Sequence, residues 1–462
     1  MDNNWVYSDY KGLEIIWLPG YHYLISAVMF GWGRFDLLPA HVVNMILGSM
    51  ACGLMAWLIS DVTSNWLAGL GAGVTLALMP WHIAYSHMNM PEVMAGLLLL
   101  GLLLAAYKDW PILLPILGFV GSLTRHELTL AIFIIGVWLW VQRGWLVSLR
   151  LWLGSGIALA GWSWWSWYRT GEFLGWWSRS VMAAAHDATF NRAAGSRLAD
   201  VGTLVETVNQ AYPLLPVICL TGVMVLVGIC CFRWHYDLPR YTWLLIAVLA
   251  THWVVLGRSF VNGYLPVADP RFVLITLPAL VGIGIIVIMA IPQPALRWAT
   301  TAIAFWILFL SLFKQIPEFS RRAYVTHPEK AAGEYLATIA AHHGSESYWV
   351  DAPTAIYYSQ LDPKRFFSSN KLLAKTLYMH ENGSDIALAA IKEEKIRYVL
   401  WEDVSYTFVG QIWPQMSQAI PFEQNGYHFE PVFHYSGWEL EYGAKPTSLW
   451  QVTELYEGED SR

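Results

Sequence analysis

Charge is what this sequence has least of. Asp, Glu, Lys and Arg make up 13% of its 462 residues, about half the share of an ordinary soluble domain. That scarcity excludes disordered and coiled-coil chains, which need charge to stay solvated. Only four cysteines are present, too few for a disulfide-built scaffold. Basic runs are missing and the net charge is −6, which excludes nucleic acid as a main partner. No glycine-rich phosphate loop follows a strand, and no nucleophile motif stands out. What is abundant is apolar: 56% of residues are hydrophobic, 15% are aromatic, and 27 are tryptophan. The composition is that of a polytopic membrane protein.

The few charges are unevenly placed. Residues 317–462 hold 12 of the 28 basic and 20 of the 34 acidic residues, a density near the soluble norm. The chain therefore divides into an outer-face juxtamembrane segment (1–38), a membrane body (39–316) and a soluble α/β domain (317–462). Apolar runs predict ten passes at 39–60, 66–83, 92–107, 111–123, 127–142, 150–168, 213–232, 241–257, 271–291 and 297–314. The fourth and fifth read as half-length helices meeting at a polar point. Residues 17–33 are too short to span and suit a helix lying along the interface. In the tail, helices at 328–342 and 386–394 precede apolar strands at 347–351 and 397–401. Residues 429–435 and 438–442 read as a hairpin around Ser436-Gly437.

Loop charge predicts orientation. Loops 61–65, 108–110, 143–150, 233–240 and 292–297 are more than twice as dense in Lys and Arg as the opposite set, which comprises 1–38, 84–91, 124–126, 169–212 and 258–270. The first set is expected in the cytoplasm and the tail outside. Nothing at Met1 reads as a signal peptide. Either a short tail crosses unaided, or a helix precedes this sequence.

Three places carry ionisable residues in apolar surroundings, where such groups are rare and by default functional. Glu92 follows Pro91 at the start of an apolar run; its other reading is a helix-dipole acid beside a proline at N1. Arg125-His126-Glu127 interrupts two apolar stretches. It reads either as an internally paired cluster or as an anion site in which arginine forks a phosphate. Arg258 and Asp269-Pro270-Arg271-Phe272 flank a loop, as interface anchors or as further phosphate contacts. His82 and His87 are five apart and share no helix face, which argues against a metal pair. Gly69, Gly71 and Gly73 mimic part of a nucleotide fingerprint but suit helix packing better. The Trp162, Trp164, Trp165 and Trp167 run reads as interface belt.

The order of these pieces resembles the GT-C membrane glycosyltransferases, such as protein O-mannosyltransferases and aminoarabinose transferases. The likeness covers about residues 10–290. It rests on Trp17-Leu-Pro19-Gly-Tyr21-His-Tyr23 with Phe30-Gly-Trp-Gly33, on Met79-Pro80-Trp-His…Pro91-Glu92, and on Gly118-Phe-Val-Gly121-Ser-Leu-Thr124-Arg125-His126-Glu127. Trp167-Tyr-Arg-Thr170-Gly171-Glu172-Phe173 and Pro270-Arg271-Phe272 extend it. The resemblance implies a multi-pass enzyme of the plasma (inner) membrane with an extracytoplasmic C-terminal domain. The implied donor is a polyprenyl-phosphate-linked sugar, and the acceptor a glycan, lipid or protein. The implied catalytic carboxylate is Glu92, with Arg125, His126, Glu127, Arg258 and Arg271 around the substrate. The families also place a helix and a catalytic aspartate before the Trp/Pro segment. Asp9 and Glu14 are the acids nearest that place, and neither matches the family position. No cofactor is implied and a divalent metal is not indicated. The alternatives are a secondary transporter, or a noncatalytic sugar-lipid binding relative.

Overall fold

The computed structural model describes residues 18–34, 37–178, 218, 221–223, 239–261, 271–325, 327–342, 346–362, 365–367, 383–402, 409, 412–437 and 446–455. Two compact units divide them, one within 17–176 and 197–316, the other within 1–16, 177–196 and 317–462.

The first unit is helical: α1 Gly20–Trp32, α2 Leu37–Thr63, α3 Trp66–Ala77, α4 Pro80–His87, α5 Glu92–Lys108, α6 Leu113–Ser122, α7 His126–Arg143 and α8 Trp145–Thr170, then α9 Arg240–Val261, α10 Arg271–Leu274, α11 Leu277–Met289 and the part of α12 Pro294–Val325 up to residue 316. Among the described residues, three helices are long and apolar enough to cross a membrane: Leu38–Thr63, Arg240–Arg258 and Pro294–Gln315. The bent pair α3/α4 makes a fourth if it is one span. Helices α5, α7 and α8 fall on expected passes but do not reach that length and apolarity together; the pass at 213–232 lies almost wholly outside the described residues.

The expected straight pass at 66–83 is instead broken, with a 60° bend between Ala77 and Pro80. Pro80 opens a new helix at its first position, where a missing N–H leaves no hydrogen bond unmade. Close backbone approach holds the bundle. A Cβ on Gly69 would lie 2.4 Å from the Ala56 carbonyl oxygen, and one on Gly154 2.0 Å from that of Pro115. These glycines let α2 meet α3 and α6 meet α8, as small residues do between apolar helices. Between α6 and α8, Ser122 and Ser155 share a buried hydrogen bond of 2.6 Å. Of the tryptophan run, Trp164 and Trp167 are exposed but Trp162 is buried, so the belt reading fails for that residue.

The second unit carries a six-stranded mixed sheet with helices on both faces. Its elements are α13 His327–His342, β1 Ser347–Trp349, α14 Pro353–Ser359, β2 Phe366–Phe367, α15 Gly383–Glu393, β3 Ile396–Glu402, a 3₁₀ turn Pro414–Gln418, β4 Phe422–Gln424, β5 Tyr427–His434 and β6 Thr447–Glu454. The strand order is β2-β1-β3-β6-β5-β4. β1 runs parallel to β2 and β3, and the remaining pairs are antiparallel. Alternation sorts the two cores. Tyr348, Phe366, Tyr398 and Leu400 face Ala332, Leu336 and Ile356 of α13 and α14. Trp349, Phe367, Val399 and Trp401 face Leu388 and Ile391 of α15, with Trp413 and Met416. Central β3 is therefore buried on both sides, and only Arg397 within it is exposed.

β5 carries the first strand of the expected hairpin and pairs antiparallel with β6 on one side and β4 on the other. β4 and β5 pair through Asn425-Gly426, whose φ values of 46° and 80° are those of a two-residue hairpin turn. Residues 438–442 lie outside the described residues.

Candidate functional site

An acid beginning a buried apolar helix needs a cation, and the chain supplies one from 33 residues away. Glu92 opens α5 behind Pro91 and is 2% exposed. Its Oε1 lies 3.3 Å from Nη1 of Arg125, which is 10% exposed. Arg125 immediately precedes α7, and its Nη2 donates to Oε1 of Glu127 at 3.0 Å. One guanidinium thus bridges two carboxylates from different helices, in a low-dielectric setting where unpaired charge is costly. Glu127, at 25% exposed, is the more open of the two acids.

The surroundings come from six further helices and Trp176. The Gly20 N–H of α1 donates to the Leu123 carbonyl at 2.6 Å. A Cβ at Gly20 would stand 2.8 Å from that oxygen, so only glycine lets α1 seat against the turn before Arg125. The His126 ring lies flat on Trp176, with centroids 5.3 Å apart at 9°, and the Trp176 indole donates to Ser163 of α8. His252 of α9 is buried and sits in the field of Glu127. Glu92 also lines a recess with His82 and Tyr85 of α4, Val93 and Gly96 of α5, Leu274 of α10 and Pro278 of α11. The recess is just large enough for a water molecule.

No family model, curated protein or solved structure matches this chain.

The expected site residues separate by place. Glu92, Arg125, His126 and Glu127 come together. Arg258 is exposed in the last turn of α9. Arg271 opens α10, a short helix packed against α4 and α5, so its backbone lies on the Glu92 side of the bundle. Asp9 and Glu14 lie outside the described residues. Of the two readings of Arg125-His126-Glu127, the internally paired one describes the geometry: both terminal nitrogens of Arg125 meet carboxylates. Glu92 stands in the first turn of α5 after Pro91 at the N-cap, as the dipole reading has it, and the Arg125 contact comes in addition. Among the described residues no three His, Cys, Asp or Glu side chains converge as a metal site. His82 donates instead to the Gly48 carbonyl at 3.2 Å, with the Cys52 sulfur at 3.5 Å.

Sequence reasoning missed Asn44. It is fully buried on α2 and its amide donates to the Met88 carbonyl and, at 3.3 Å, to that of Met90. The signal was a lone carboxamide inside an apolar run, the kind of residue membrane helices use as polar glue.

Proposed function

We propose that this chain is an integral membrane glycosyltransferase that moves a sugar from a polyprenyl-phosphate donor to an acceptor at the membrane surface. The observation that carries the reading is the Glu92–Arg125–Glu127 cluster, a buried charged constellation at the meeting point of two helix breaks. Depth supports it. From Glu92 to Lys108 α5 rises about 24 Å. Lys108 and Asp109 are paired there with Asp61 and Arg143 at 2.9 and 2.6 Å, which marks one polar boundary. Against a hydrocarbon core of about 30 Å, Glu92 then lies about 6 Å inside the opposite boundary, near the headgroup end of the core.

In the proposed reaction the bond from the sugar C1 to the phosphate oxygen breaks, and its electron pair leaves on the polyprenyl phosphate. The acceptor oxygen or nitrogen bonds to C1, and its proton passes to a carboxylate. Departure of the phosphate leads in an oxocarbenium-like transition state, so a weak base suffices. Glu92, held by Arg125, is the carboxylate proposed to orient and deprotonate the acceptor. Arg271 and Arg258 are proposed for the phosphate, since Arg125 is already engaged by two acids and the cluster carries a net negative charge.

The test is release of polyprenyl phosphate from a panel of polyprenyl-phosphate sugars by the full chain in liposomes, with membrane extract as acceptor. Release is expected, and Glu92→Gln should slow it about a hundredfold or more. Absence of release with every donor, or an unchanged rate in Glu92→Gln, would overturn the assignment.

The bend between α3 and α4, added to the α6/α7 break, favours a second reading. Discontinuous helices meeting at a charged site are how secondary transporters hold substrate. Counterflow of labelled sugar across the same liposomes, without lipid-donor consumption, would select it.

A further inference from the structure

The α4–α5 break leaves backbone carbonyls at the end of α4 without intrahelical partners. One face of α2 supplies them. His41 meets the His87 carbonyl, Asn44 meets those of Met88 and Met90, and Gly48 and Cys52 meet the His82 ring. Spacings of three, four and four residues put these positions in one row along α2. The row ends the helix before Glu92 and fixes the chain that delivers it. Within the row Asn44 alone holds two carbonyls at once, in the loop directly preceding Pro91-Glu92. Buried Tyr21 of α1 lies beside the Asn44 side chain. α1 reaches that place through the Gly20–Leu123 hydrogen bond already described.

We infer that Asn44 is the positioning residue of the Glu92 carboxylate. By clamping the Met88 and Met90 carbonyls it sets the start of α5, and so holds Glu92 against Arg125. The role in turnover rests on the function proposed above, but the positioning itself does not.

Labelling of Glu92 by dicyclohexylcarbodiimide tests it on the full chain in liposomes, read by mass spectrometry of the Glu92 peptide. The reagent reaches carboxyls in apolar surroundings once they lose a cationic partner and take up a proton. Asp61 is the internal control, being on the same α2 but paired with Lys108 at the far end. Asn44→Ala, and the isosteric Asn44→Asp that lacks the donors, should raise Glu92 labelling about tenfold, the size expected from a buried hydrogen bond lost. Asp61 labelling should stay level, and Asn44→Gln should return part of the protection. Should Asn44→Ala fail to accumulate, Asn44→Asp carries the comparison. Equal rises at Glu92 and Asp61 would mean general loosening and would overturn the inference, as would unchanged labelling at Glu92. If sugar transfer is present, its rate should fall in Asn44→Asp with the donor KM held. Labelling that responds as expected in a chain without transfer activity would sink the proposed function and leave the positioning intact.

Discussion

Replacing Arg125 by alanine leaves two buried or half-buried carboxylates facing each other without a cation. Breaking a buried pair from one side costs about 3–5 kcal/mol, against about 0–1 kcal/mol for an exposed one. Arg125→Ala should therefore lower the thermal midpoint of the detergent-solubilised chain far more than Lys330→Ala, whose partner Glu334 is on an exposed helix face. Adding Glu92→Gln to Arg125→Ala should recover part of the loss, because it removes one stranded charge. A double variant at least as unstable as the sum of the singles would show that the two side chains do not interact. At this scale the sequence was half readable. Arg125 and Glu127 are two residues apart across a helix start, and their pairing could be read directly. Glu92 comes to the same guanidinium from a different helix, a contact that no local spacing encodes.

Helix contacts set the next scale, where glycine separates two kinds of position. Gly154 and Gly156 are both in α8. A Cβ at Gly154 would drive into the Pro115 backbone, whereas one at Gly156 meets nothing within 4 Å. Gly154→Ala should destabilise the α6–α8 pair, and Gly156→Ala should be neutral or gain up to about 1 kcal/mol from helix propensity alone. Thermal unfolding of the two variants in one detergent reads the difference; equal midpoints would remove the packing argument. In the sheet, burial pushes the Tyr348 hydroxyl above its usual value despite the nearby Arg365, and Tyr398 beside it is raised for the same reason. A tyrosine easier to ionise unfolded than folded favours the unfolded state once pH passes the unfolded value near ~10. Stability of the C-terminal unit should be level below that pH and decline above it, with a shallower slope in Tyr348→Phe. An identical slope in the variant would assign the decline to other groups. Element boundaries were legible where chemistry punctuates the chain, as at Thr124-Arg125 between α6 and α7. Pro80 and Asn425-Gly426 carry equally local signals for the α4 start and the hairpin turn. At Pro80 the apolar continuity of its neighbours outweighs that signal, and the sequence there suggests one pass over 66–83.

For the whole molecule, the ion pairs sort the loops. Asp61, Lys108, Asp109 and Arg143 come from three loops of the set denser in basic residues, and they meet through two salt bridges and a hydrogen bond from Arg143 to the Tyr107 carbonyl. Gly20 and Arg125 come from the opposite set; Gly20 meets Leu123, next to the 124–126 loop, and Arg125 meets Glu92. The grouping needs no assumption about a membrane, yet it is the grouping that alternate crossings require. Orientation then turns on Lys and Arg, because acidic residues contribute little to it even when they neutralise the same arginines. The basic set should face the cytoplasm, which puts residues 317–462 outside after an even number of passes. Alkaline phosphatase fused after Arg462 should be active and a fluorescent protein at the same place dark. A fusion ending at Asp109 should behave in the opposite way. Inactive phosphatase with a bright fluorescent protein at Arg462 would invert the orientation, and it would move the Glu92 cluster to the cytoplasmic boundary. Matching signals from the two fusion points would break the pass count instead, and with it the depth argument that sets Glu92 near the headgroup end of the hydrocarbon core.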